Sequence, residues 1–105
     1  MVTIKLTLFI KDLTDKLFNI LCLKEEEDAG NNVFLSEYID SRLVEIIGAC
    51  STFPCLNSNP DYISVLNTVQ YLSQNEVTTK KCKREVFKIL KLLNKIERES
   101  GDDIE

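Results

Sequence analysis

Histidine is absent from the 105 residues, which removes the commonest general base at neutral pH and a common zinc ligand together. Glycine and proline are scarce, at three and two residues, too few for a loop-dominated or disordered chain. The glycines also stand far apart, so no glycine-rich phosphate loop can form. Long apolar runs are missing as well: none approaches the roughly 20 residues needed to cross a bilayer. Leu6 to Ile10 is broken by Lys11 and Asp12 before it could serve as a signal-peptide core. The expectation is one cytoplasmic domain over residues 1–105, without a membrane segment.

Four cysteines are present, Cys22, Cys50, Cys55 and Cys82. A four-thiolate zinc site needs a close pair at each end, and only Cys50 and Cys55 are neighbours in sequence. Buried, reduced thiols are expected instead, with no metal and no cofactor. A nucleophilic cysteine would need an adjacent base. The carboxylates fall on wet faces or loops, where nothing raises their pKa. The composition therefore points away from catalysis.

What is present is 44% hydrophobic residues arranged at helical spacing. Cys82, Val86, Ile89, Leu90, Leu93 and Ile96 recur in steps of three and four, and Phe87 and Leu92 widen the stripe. This predicts a helix over residues 79–99, started by Thr78 or Thr79 and closed by Gly101. An earlier helix is expected from Ile4 to Leu23 on Leu6, Phe9, Ile10, Leu13, Leu17, Ile20 and Leu21. The alternation of Val2, Ile4, Leu6, Leu8 and Ile10 leaves a strand as the competing reading of its start. Asp12 and Lys16 form a favourable pair on the wet side.

The run from Lys24 to Asn32 reads as a loop, with Gly30 providing the turn. A second helix begins between Val33 and Ser36, capped by Ser36 or Asn32, and runs to about Cys50. Leu35, Ile39, Leu43, Ile46, Ile47 and Cys50 are expected to face inward. After a turn-rich connection pinned by Phe53 and Leu56, Asn59-Pro60-Asp61 marks a third helix start. Ile63, Leu66 and Val69, with Tyr62 and Leu72, line the inner face of that helix. Asn75 is expected to end it in a left-handed conformation, and Val77 to pack at the joint. The fold class is all-α, a small bundle of four main helices, up-down or partly orthogonal.

Charge is segregated along the chain. Residues 1–79 carry five basic and eleven acidic side chains, residues 80–98 eight and two, and residues 99–105 four acidic ones, these last forming a frayed tail. Lys80, Lys81, Lys83 and Arg84 crowd a helix N-terminus, where positive charge costs about 0.3–1 kcal/mol per exposed side chain. Acidic groups elsewhere in the chain, or an anionic partner, must compensate. Arg84, Lys88, Lys91, Lys95 and Arg98 form a basic ridge on the outer side. An acidic surface is expected from Glu25, Glu26, Glu27 and Asp28 folding over Glu37, Asp40 and Glu45 of the second helix, with Tyr38 as an exposed aromatic anchor.

In overall character, small, acidic, helical and free of cofactors, the chain is similar to the immunity proteins that bacteria make against their own nuclease toxins. Those of contact-dependent inhibition systems are included. The resemblance implies a non-catalytic inhibitor that presents carboxylates to a basic toxin domain. Two other expectations stand beside it: nucleic-acid binding along the phosphates by the ridge, and a phage or viral adaptor that binds a host protein. The ridge reading lacks an aromatic residue interleaved with its cations.

Overall fold

The computed structural model describes residues 6–101. Four α-helices and one short 3-10 turn account for nearly all of them, with no strand among the described residues. The helices are α1 (Leu6–Asp28), α2 (Leu35–Thr52), α3 (Pro60–Gln74) and α4 (Thr79–Gly101), and the 3-10 turn spans Pro54–Ser58. Each helix packs on its sequence neighbours, and α1 closes the ring against α4 through the most extensive interface. Cross-helix contacts fix every pair as antiparallel. Lys11 faces Glu97 and Lys83 faces Glu25 between α1 and α4, Lys16 meets Glu45 between α1 and α2, Tyr62 meets Ile46 between α2 and α3, and Lys95 meets Asp61 between α3 and α4. The contacts run in the up-down-up-down sense, and the proline-marked connection after Cys50 forms an extra 3-10 turn.

Local chemistry explains the helix ends. α1 runs through the acidic stretch and stops at a Schellman motif. The Asn31 N–H donates to the Glu26 carbonyl, and that of Gly30 to the Glu27 carbonyl. Gly30, at φ +93°, takes the left-handed position that glycine occupies at least cost. Asn59 caps α3 with its Oδ1, which accepts from the N–H groups of Asp61 at 2.9 Å and Tyr62 at 3.1 Å. Thr78 caps α4 by accepting from the Lys81 N–H at 3.1 Å. The cap of α2 is neither Ser36 nor Asn32. Phe34 fills that position in a left-handed conformation with no side-chain bond, its carbonyl accepting from the Tyr38 N–H. Asn75 is extended at φ −134° rather than left-handed; its side-chain amide instead donates to the carbonyl of Tyr71.

The core is apolar and continuous. Ile10, Leu13, Leu17 and Ile20 of α1 meet Ile39 and Ile46 of α2, Tyr62, Val65 and Val69 of α3, and Val86, Ile89, Leu93 and Ile96 of α4. Leu56 of the 3-10 turn plugs the end, with Phe53 packed against the same cluster. Three expected core positions turn outward: Ile47, Ile63 and Phe87 are substantially exposed. Ala49 and Val65 are buried in the faces of α2 and α3, a small rotation of each helix about its axis. The strand reading fails where it can be examined, because Leu6–Ile10 are helical; Val2 and Ile4 lie outside the described residues. At the other end Glu99 to Gly101 belong to α4 rather than to a tail, while Asp102, Asp103 and Glu105 lie outside the described residues. No helix among the described residues is long and apolar enough to cross a membrane.

Candidate functional site

The acidic run is helical, not a loop. Its carboxylates sit at the C-terminus of α1, where the helix dipole disfavours negative charge, and the basic cluster of Lys80 to Arg84 sits at the equally unfavourable N-terminus of α4. Antiparallel packing puts these two ends side by side. Lys83 Nζ lies 3.7 Å from Glu25 Oε2. Lys24, with only 12% of its side chain exposed, lies 3.4 Å from Glu27 and 3.7 Å from Asp28. Glu26 accepts from the side-chain amide of Asn31. All four carboxylates remain exposed; Glu25 reaches the basic cluster, and the others are engaged by Lys24 of the same helix or by Asn31.

The eight residues expected to form one acidic surface divide three ways. Glu25 turns toward α4. Glu27 shares a cleft of about 290 Å³ with Ser36, Ser73, Glu76 and the Cys82 thiol, so the end of α1 and the start of α2 do meet at one end of the bundle. Glu45 is drawn into the α1/α2 seam. Its Oε2 accepts from Lys16 Nζ at 2.9 Å, and its Oε1 lies 3.3 Å from Arg42 Nε, close enough for charge pairing but off the line of a hydrogen bond. Lys16 also pairs with Asp12 at 2.9 Å, and the hydrogen bonds to Asp12 and Glu45 hold its ammonium above the usual lysine range. Tyr38 is no exposed anchor. It is half-buried, donates its hydroxyl to the Lys16 carbonyl at 2.9 Å, and carries Arg42 over its ring at 4.7 Å.

Glu37 and Asp40 remain outward. They share a stripe of α2 with two aliphatic side chains that sequence reasoning did not select, Val44 and Ile47, exposed by 69% and 54%. The steps of three, four and three keep all four on one face. On α3, which meets α2 through Tyr62 with Ile46 and Ser73 with Asp40, Ile63 is also exposed, by 40%. The signal lies in the spacing of residues 37, 40, 44 and 47, which competes with the inward reading of Ile47.

The ridge keeps its expected form. Arg84, Lys88, Lys91, Lys95 and Arg98 are all exposed and span about 21 Å at 1.5 Å per residue. Two carboxylates temper it: Glu85, at 2.9 Å from Lys88 and 3.8 Å from Arg84, and Asp61, at 3.2 Å from Lys95. The Lys88 hydrogen bond, with the charges of Lys88, Arg84 and Lys81 behind it, holds Glu85 below the usual carboxylate range against the opposing effect of burial. Lys91 and Arg98 have no carboxylate within ion-pair distance among the described residues. Beside the N-terminal part of the ridge the structure supplies an aromatic that does not interleave the cations in linear sequence. Tyr71 comes from α3, 37% exposed, and its hydroxyl accepts from Lys81 Nζ at 2.7 Å.

All four cysteines are free thiols, with Cys22 and Cys55 exposed, Cys50 half-buried and Cys82 buried. Cys22, whose thiol is expected to be buried, is turned to solvent by the phase of α1. Burial pushes the Cys82 thiol up, with Asp28 and Glu27 acting the same way and Lys24 opposing them. Among the described residues no three potential ligands converge as a metal site. No family model, curated protein or solved structure matches the chain.

Proposed function

We propose that this protein is a non-catalytic binding module that docks the outward face of α2 on a basic protein and blocks it, as an inhibitor of a nuclease-type toxin would. One observation carries the reading: Glu37, Asp40, Val44 and Ile47 form a single exposed stripe on α2, and Ile63 of the neighbouring α3 is exposed as well. Isolated exposed aliphatics are ordinary. Two on one stripe, with a third on the neighbouring helix and bordered by carboxylates, have the apolar centre and polar rim of a docking surface. A nuclease domain is basic because it holds phosphates, so carboxylates at the rim steer the two proteins together and aliphatics at the centre exclude water. In this reading the acidic run of α1 serves the fold, and the cytoplasm is where the encounter takes place.

The test crosslinks the partner from position 44 in the native host, then measures its affinity for purified variants. Glu37→Lys combined with Asp40→Lys is expected to weaken binding at least about tenfold, chiefly through a slower, salt-sensitive association. Val44→Asp is expected to weaken it by a similar factor, and Glu25→Lys to leave it within about twofold. Unchanged affinity in both α2 variants, or a partner without a positive surface, refutes the proposal.

A further inference from the structure

We propose that the groove between α3 and α4 is a second binding site, for a single-stranded nucleic acid, separate from the α2 face. Its phosphates run along Lys88, Lys91, Lys95 and Arg98, and one base stacks on Tyr71. Three observations meet here. The four cations are exposed on one line of α4 at about one per helical turn of 5.4 Å, a step of the same order as that between phosphates of an extended strand. A shallow recess opens between the helices at the Lys88 end of that line, walled by Asn67, Thr68, Tyr71, Lys81, Glu85 and Lys88. Within it, Lys81 is tied to the Tyr71 hydroxyl at 2.7 Å and lies 4.8 Å from the ring centroid, which fixes the ring while part of it stays open to solvent.

Each component has a distinct role. Exposed cations neutralise phosphates without regard to sequence, so affinity falls with salt. An aromatic face takes any base, and stacking requires that base to be unpaired. The Asn67 amide at the rim adds a donor and an acceptor within reach of a stacked base. A duplex offers phosphates but no free base face, so the groove favours the single strand. Glu85, held ionised within the ridge, moderates the field, which agrees with a protein of net charge −4 binding a polyanion only where its cations are concentrated.

The test measures binding of an oligothymidylate of about 15 nucleotides, long enough to cover the groove, and of a duplex of equal length. Polarisation of a labelled strand reports both at low salt. Four neutralised phosphates predict a log–log salt slope of about −3 for the single strand. Lys91→Glu with Arg98→Glu is expected to reduce strand affinity at least about tenfold. Tyr71→Leu is expected to reduce it at least about fivefold, with Tyr71→Phe close to wild type because the ring is kept. Since the chain has no tryptophan, Tyr71→Trp adds a single reporter whose fluorescence should be quenched by a stacked base. Failure of the strand to bind at low salt overturns the site. Equal affinity for strand and duplex, or wild-type affinity in Tyr71→Leu, overturns the stacking.

Discussion

Ile89→Ala and Phe87→Ala, two residues apart on α4, test which face of that helix the core occupies. Residue size alone ranks the phenylalanine truncation as the more damaging, since a buried Phe→Ala change costs about 3–5 kcal/mol. The structure reverses the order. Ile89 is fully buried at 0% exposure among Leu17, Val69 and other core residues, whereas Phe87 is 48% exposed. Removing the Ile89 side chain leaves a cavity that neighbouring helices only partly close, at about 2–5 kcal/mol. Phe87 forfeits roughly half of the ~1.5–3 kcal/mol that full burial of such a side chain brings, about 1 kcal/mol. Alanine improves helix propensity at both positions by similar amounts, so that contribution largely cancels in the comparison. In urea, with a slope of about 1.5 kcal/mol/M, the midpoint should fall by about 2 M for Ile89→Ala and by less than about 1 M for Phe87→Ala. A loss in Phe87→Ala equal to or greater than that in Ile89→Ala would refute the assigned phase of α4, and with it the outward position of the basic ridge.

Three further outcomes are expected. Asn59→Ala removes an acceptor shared by two backbone donors and should cost about 1 kcal/mol of stability by thermal unfolding, with Asn59→Asp near wild type; an unchanged Tm in the alanine variant would contradict the cap. Iodoacetamide should alkylate Cys22 and Cys55 in the native protein and spare Cys82, whose thiol is buried and raised in pKa, until urea unfolds the chain; mass mapping that finds Cys82 modified as fast as Cys22 would count against this burial. Glu85 is held below its ordinary 4.5, so its contribution to stability is complete above that value and is lost as pH falls through the lowered folded pKa. Glu85→Gln should flatten this part of the acid limb of the stability curve, and an unaltered limb would argue against the Lys88 pairing.

The sequence carried the four helices because their apolar residues recur over spans too long for strands, and the Asn59-Pro60 start was legible because proline and the capping side chain act locally. The faces were less legible wherever a helix has more apolar residues than its core side can take. α2 offers Val44, Ile46, Ile47 and Ala49, and the correct choice between Ile47 and Ala49 depends on how closely α2 approaches α3, a tertiary quantity. Tyr38 looked like an anchor because nothing local reveals that its hydroxyl reaches the Lys16 carbonyl, 22 residues away. Tyr71 was overlooked for the same reason in reverse: it lies outside the basic segment in sequence and joins the ridge only when α3 packs on α4. The acidic run reads locally as a loop because four like charges at a helix C-terminus are unfavourable in isolation.

The packing of α1 on α4 accommodates part of this charge segregation. Taken singly, α1 ends in negative charge and α4 begins in positive charge, each against its own dipole. Placed antiparallel, the two ends exchange their penalties for attractions, through Lys83 with Glu25 directly and through the field of the remaining groups. In the upper part of α4 one cation, Lys83, meets the acidic end of α1, and among the described residues no comparable acidic helix end pairs with its lower half. There Lys91 and Arg98 have no carboxylate within ion-pair distance among the described residues, and Lys95 has only Asp61. Among the described residues the same segregation, uniform along residues 80–98, thus divides in space into a half with a cation against α1 and a half whose Lys91 and Arg98 are exposed. Exchange of Lys83 should therefore act first on stability, and exchange of Lys91 first on binding.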